Sequence, residues 1–574
     1  MSAGRLIQVA AAVAITLTST TQGFAAGPVK QTARPEALAS GNIKHVLLLS
    51  IDGMHAVDFY NCAHGVAEWN SGTPYCPNLA ALSQTGINYT NSIASRPSDS
   101  FPGIMALVTG GTPKSTGIYY DVAFDRSLDP PAKATGTGLA AGACTPYGTP
   151  TGTTTDNDQG IEFDDTKLNG GAPGAGLTEG GIASIDQRKL SRDPAAGCAP
   201  VYPWNFLRTN TIFGVIHAAG GYTAWIDKHP SYAMVAGPGG TGLNDYYAPE
   251  VSSNVVALPG VKTSLGASCA TVRDATASSW NASFEDIQCY DALRVNALLN
   301  EIAGKTHGGS PAVTPAIMGM NFQSVYTGES VNEPGAGTGG YQNAAGLPST
   351  LLLQEIESVD VSIGDIVNAL KDRGIYDETL IIITAKHGGS PIDTSRYVAN
   401  TNTPATLLGT RLPFSESPLN STGIGATEDD VSVLWLNKGE SVASAVDVLE
   451  QNAAAIGLGQ IYFGPTLSLN YNVGGWEPGQ DPRTPDIIVT PNVGVTYSGS
   501  TTMIADHGGF AHDDTNVMLL VSHPSFKPQT VFDGASTTQV APTILKALGL
   551  NPAALDAVRA EGTAVLSEVW SQLK

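Results

Sequence analysis

Short, almost wholly apolar runs punctuate this chain, separated by glycine-rich polar stretches or by segments with helical spacing. The runs at 47–51, 316–322, 379–384, 431–436 and 486–489 have the length and aliphatic content of strands buried on both faces. A further apolar run covers 517–521, and 221–225 also reads as a strand. Residues 355–370 place Ile356, Val359, Ile363, Ile366, Val367 and Leu370 at helical spacing. Residues 211–219 and 442–455 also read as helices. Strands alternating with helices predict an α/β fold, a predominantly parallel sheet with helices on both faces.

In such sheets ligands bind beyond the carboxyl ends of the strands. The first run ends in Asp52-Gly53. A buried carboxylate needs a cation or a metal beside it, although Asp-Gly also ends strands as a plain turn. After Arg96-Pro97-Ser98-Asp99-Ser100 an apolar helical pattern begins, with Pro102 suited to its first turn. Ser100 falls at or near the N-cap, where its hydroxyl serves either as a cap or as a nucleophile. The run at 379–384 leads to Lys386-His387-Gly388-Gly389, and His507-Gly508-Gly509 precedes the run at 517–521. A lone histidine is more often structural, but two His-Gly-Gly turns in one chain point to a site. Asp227-Lys228-His229-Pro230 follows the strand at 221–225. It reads first as a surface turn, with the pocket as the alternative.

Taken in order, Asp52-Gly53, Ser100-Phe101-Pro102, Val108-Thr109-Gly110, His387-Gly388 and His507-Gly508 resemble the alkaline phosphatase superfamily, in its nucleotide pyrophosphatase/phosphodiesterase branch. The resemblance spans roughly residues 43–550. It implies an alkaline-phosphatase-like three-layer αβα sandwich with a mostly parallel central sheet and irregular insertions. It also implies Ser100 as nucleophile and, in the family, two metal ions, usually zinc. The departures are specific. Lys386 replaces the Asp that precedes the family's His, and Gln323 falls where a mid-chain Asp is expected. No Asp-x-x-x-His follows Gln323, and Gly103 replaces an Asn that contacts phosphate. Asp52, His387 and His507 remain as metal ligands, so one divalent ion, zinc in kind, is expected rather than two. An ammonium at 386 disfavours a neighbouring dication, yet can itself supply positive charge to a phosphoryl transition state. Lys386 is therefore expected to act with Ser100, and Arg96 and Phe101 to contact substrate. The competing reading of Lys386 is a salt bridge to Asp52 in an inactive site.

Composition narrows the partners. The chain has 574 residues and a formal net charge of -22, which argues against nucleic-acid duplexes and anionic membrane surfaces. Arg5, the apolar residues 6–17 and Gly23-Phe24-Ala25-Ala26 read as a signal peptide over 1–26. A flexible leader (27–42) and one phosphatase/phosphodiesterase-like α/β domain (43–574) are expected to follow, with a Gly/Pro-rich insertion at about 129–203. No later run is long enough to span a membrane. The cysteines at 62, 76, 144, 198, 269 and 289 lack Cys-x-x-Cys spacing. In an exported chain they are expected to form disulfides, taken here as neighbour pairs, although sequence allows other pairings. Gly110-Gly111-Thr112-Pro113-Lys114-Ser115 is not a phosphate-binding P-loop, because Pro113 occupies a glycine position and the turn follows a helix.

These observations lead to one functional expectation: a secreted or periplasmic hydrolase of a small phosphorylated substrate, with nucleotides among the candidates. The alternative is a catalytically reduced relative acting as an extracytoplasmic binding protein.

Overall fold

The computed structural model describes residues 42–157, 160–164, 166–171, 180–271, 279–411, 415–416 and 427–573. The expected signal peptide, the leader before residue 42 and parts of the 129–203 segment lie outside the described residues.

Eight strands form the main sheet: β1 (His45–Ile51), β2 (Gly86–Tyr89), β3 (Ala224–Ile226), β4 (Asp245–Tyr247), β5 (Ile317–Phe322), β6 (Thr379–Thr384), β7 (Leu519–Ser522) and β8 (Gln529–Val531). Their order is β8-β2-β7-β6-β1-β5-β3-β4. β1 lies between β5 and β6 and is parallel to both. Only β7 runs antiparallel to its neighbours. The parallel α/β expectation is met.

The two faces follow from the two-residue period of a strand. On β1, Leu47, Leu49 and Ile51 enter one core and Val46 and Leu48 the other. On β6, Ile381 and Ile383 face the first core, and Leu380 and Ile382 the second. Both faces must be covered, which is why these strands are apolar throughout. Five helices matter below: α1 (Ala56–His64), α2 (Ser100–Thr109), α3 (Phe284–Ile302), α4 (Ser324–Ser330) and α5 (Thr350–Arg373). The first core is packed by α3 and α5, and the second by α2 and the helix Val540–Ala547. These layers form the three-layer sandwich.

Helix α5 is longer than its apolar stripe predicts, because its caps lie outside that stripe. Ser349 accepts the Leu352 amide at 3.2 Å, and Gly374 closes the other end at φ 75°.

Residues 431–436 and 486–489 are strands as expected, but not of the main sheet. Ser432–Leu436, Ile487–Pro491, Leu458–Phe463 and Ser415–Glu416 build a separate four-stranded antiparallel sheet. A short apolar run reports burial, not strand direction or partner. The disulfides are Cys62–Cys76, Cys144–Cys198 and Cys269–Cys289, which is the neighbour pairing. Among the described residues no helix is long and apolar enough to cross a membrane.

Candidate functional site

The carboxyl ends of β1, β5 and β6 deliver Asp52, Gln323 and Lys386-His387 to one place, and the start of α2 brings Ser100 to them. Asp99, not Ser100, is the cap of α2: its side chain accepts the Phe101 amide at 3.0 Å. Ser100 is thereby released from capping and begins the helix, with Oγ 3.2 Å from His387 Nε2. Nδ1 of His387 donates to the Gly388 carbonyl at 2.9 Å, so Nε2 presents its lone pair toward Ser100. Lys228 Nζ donates to the same Ser100 Oγ at 3.4 Å.

Asp52 is fully buried and its two oxygens have opposite surroundings. Oδ2 accepts from Gln323 Nε2 and, at 3.2 Å, from Asn321 Nδ2. Lys386 Nζ is 3.2 Å and Lys228 Nζ 3.6 Å from that same oxygen. Oδ1 has no hydrogen-bond partner and lies 3.7 Å from His387 Nε2. Burial pushes the Asp52 carboxyl up, but Lys386, then His387 and Lys228, outweigh it and hold it well below the usual carboxylate range. Lys386 is wholly buried, and burial pulls its ammonium down against the opposing pull of Asp52. It also donates to Tyr232 Oη at 2.9 Å and lies over that ring. For His387, burial and then the neighbouring His507 push the imidazole well below its ordinary value.

Of the expected site residues, Asp52, Ser100, Lys386 and His387 meet within direct contact. His507 arrives beside them, its ring centroid 4.1 Å from that of His387, but its nitrogens face other groups. Nδ1 is 3.1 Å from Asp506 Oδ1 and from Tyr326 Oη, and Nε2 is 3.7 Å from Asp99 Oδ1. Burial alone would lower the His507 pKa. Asp506 and Asp99 outweigh that and raise it. Phe101 does not line the cleft: it is fully buried and stacks on Tyr232, with centroids 4.3 Å apart. Arg96 is exposed, its carbonyl is held by Tyr471 Oη at 2.8 Å, and it does not line the cleft. The cation that does reach Ser100 is Lys228, from the turn after β3 that sequence assigned first to the surface. Its one signal was position, directly beyond a strand end. The cleft above these residues has a volume of about 400 Å³ and is lined by Ser100, Lys228, Gln323, Tyr326 and His507 among others.

Gly103 explains one departure. A Cβ there would lie 2.3 Å from the Lys386 carbonyl oxygen, so this turn of α2 accepts no side chain. The donors test the two-ion arrangement that the resemblance implies. Asp52 Oδ1, His387 Nε2 and Ser100 Oγ converge, and the unpartnered Oδ1 suits one cation. Gln323 Nε2 donates to Asp52, and the His507 nitrogens face Asp506, Tyr326 and Asp99.

The model of the type I phosphodiesterase/nucleotide pyrophosphatase family matches residues 46–140 and 336–511. No curated protein sequence matches the chain. Murine ectonucleotide pyrophosphatase/phosphodiesterase 5 is similar in fold: TM-score 0.51 at 14% identity, covering 88% of this chain and 96% of that one. The same figures hold for its inactive variant in complex with AMP. Wild-type alkaline phosphatase PafA gives a TM-score of 0.52 at 11% identity, covering 94% of this chain and 99% of that one.

Proposed function

The chain belongs to the alkaline phosphatase superfamily, and from that premise we propose that it is an exported hydrolase of phosphoric diesters or nucleotide pyrophosphates with Ser100 as nucleophile. The observation that carries the reading is the placement of Ser100. Its Oγ is free of capping, faces the lone pair of His387 Nε2 at 3.2 Å and accepts from Lys228 at 3.4 Å. Oγ attacks phosphorus, the bond from phosphorus to the leaving oxygen breaks, and water then cleaves the phosphoseryl ester. Lys228 binds a non-bridging oxygen and balances the charge that develops there. Lys386 does not touch substrate; it holds Asp52 ionised and in place.

Members of this family typically use divalent metals such as zinc. Here Asp52, His387 and Ser100 would hold a single ion, which when bound supplies Lewis acidity and lowers the pKa of the serine hydroxyl. The structure of a fold relative in complex with AMP supports a nucleotide among the substrates. The three disulfides support export.

The test is turnover of bis(p-nitrophenyl) phosphate and of a dinucleotide by wild type and Ser100→Ala. Loss of turnover to background with an unchanged melting temperature supports the nucleophile, and wild-type rates in the variant refute it. One observation favours a second reading. The two lysines on Asp52 already compensate its charge, which suits a reduced site that binds a phosphorylated ligand without cleaving it. Inactive wild type that still binds inorganic phosphate would select that reading.

A further inference from the structure

Behind the site lies a second buried cluster, and it touches both turns that carry the proposed chemistry. His55, Asp58, Glu329 and Tyr341 are each almost fully buried. His55 Nδ1 is 2.8 Å from Asp58 Oδ2, 2.9 Å from Tyr341 Oη and 3.3 Å from Glu329 Oε1. Tyr341 Oη in turn donates to Glu329 Oε1 at 2.7 Å. Asp58 also accepts the backbone amide of His55 at 2.9 Å, which seats the ring at the start of α1.

The other face of the ring points at the catalytic turn. His55 Nε2 lies 2.8 Å from the Gly389 carbonyl oxygen, two residues beyond His387. Glu329 fills the space between the two glycines that follow the site residues. A Cβ on Gly53 would lie 2.2 Å from Glu329 Oε2, and one on Gly389 3.1 Å from it. Gly53 also has φ +85°, so the close approach and the backbone both require glycine. Gly388 meets the same ring: a Cβ there would lie 3.0 Å from His55 Cδ2. Two acidic side chains flank one imidazole; burial lowers the His55 pKa, but Glu329 and then Asp58 outweigh it and raise it well above its ordinary value.

We infer that His55, Asp58, Glu329 and Tyr341 are a positioning network that locks the Asp52-Gly53 and His387-Gly388-Gly389 turns together and so sets the distance between Asp52, His387 and Ser100. His55 acts through Gly389 on His387, and Glu329 acts through Gly53 on Asp52. None of the four touches the cleft. The inference rests on the proposed role of Ser100 only in its effect on turnover; the locking of the turns stands apart from it.

The experiment uses the full mature chain with His55→Phe and Glu329→Gln, read in two independent ways. The first is amide hydrogen exchange of residues 379–391. The Gly388 amide bonds the Asp514 carbonyl at 2.7 Å and the Ser390 amide that of Asp506 at 2.7 Å, so both report on the turn. The expected result is an increase of about tenfold or more in their exchange while β6 stays protected, the pattern of local opening. The second readout is turnover, where kcat should fall about 10- to 100-fold, as for groups that orient catalytic ligands, with KM within about twofold. Unchanged exchange in the turn overturns the inference, and so does loss of protection in β6 and the turn in step, which would mark general destabilisation. A divalent ion lost from Asp58→Asn but kept by Asp52→Asn also overturns it, because the cluster would then be a metal site. If wild type proves inactive, the proposed function fails and the exchange data still decide the network.

Discussion

Replacing Lys386 by methionine tests whether the buried ammonium holds Asp52. Its Nζ lies 3.2 Å from Asp52 Oδ2, and both residues are fully buried. At an effective dielectric of about 20 that pair is worth about 5 kcal/mol of Coulomb attraction, and Lys228 at 3.6 Å about 4.6. Removing one partner of a buried pair typically costs about 3–5 kcal/mol. Here Lys228, Gln323 and Asn321 stay on the same carboxylate, so a smaller loss of about 2–3 kcal/mol is expected. The assay is urea unfolding with excess chelator, which removes bound metal from the folded reference. Running Asp52→Asn and the double variant completes a cycle, with an expected coupling of about 2 kcal/mol. The pH dependence has a definite sign. Asp52 is depressed in the folded state, so its contribution is complete above about pH 4 and is lost as pH falls through the folded value. Lys386→Met raises that folded value, so the acid limb of its stability curve moves to higher pH. Additivity within about 0.5 kcal/mol, with an unmoved acid limb, would refute the assignment.

Four further outcomes are expected. Lys386→Asp restores a carboxylate beside His387, so zinc affinity measured by calorimetry should rise; unchanged or weaker binding contradicts the charge argument. Gly103→Ala gains about 1 kcal/mol of helix propensity but forces a methyl against the Lys386 carbonyl, at about 1–3 kcal/mol for overpacking. Its melting temperature should therefore drop, and a rise would be the failure. Burial raises Glu329 to about 7, with His55 opposing, so its contribution is complete below about pH 4.5 and is lost as pH climbs to about 7. Over that window Glu329→Gln should flatten a slope worth about 3 kcal/mol, and an unaltered stability curve would dismiss the assignment. Thiol titration of denatured, unreduced protein should find almost no free cysteine, and two or more equivalents would contradict the paired disulfides.

How much of the molecule was legible in the sequence depended on how local each signal was. The strands β1, β5 and β6 could be read because an aliphatic run closed by a polar residue is a local pattern, and being buried on both faces leaves no freedom in composition. Asp52, Ser100, Lys386 and His387 could be named because each sits at the end of such a run or at a helix start. The neighbour disulfides matched expectation, although sequence does not fix a pairing. Side-chain direction was not legible. His507 stands in a His-Gly-Gly turn like His387, yet Asp506, Tyr326 and Asp99 take its nitrogens, and only the packed structure brings those three around it. Phe101 follows Ser100 but points into the core, because position on α2 decides which side meets Tyr232. Arg96 and Lys228 exchanged their expected places: the adjacent arginine turns to solvent, while a lysine 128 positions away reaches Ser100 Oγ. The cluster at His55 escaped notice because its members come from the start of α1, from α4 and from the short strand Tyr341–Asn343, with no spacing in common. The sequence by itself determined which segments are buried and which residues end them. Which of those residues face one another, and which cation compensates Asp52, was decided by the tertiary structure, because a buried charge takes its partner from whatever the packing of distant segments brings within a few ångströms.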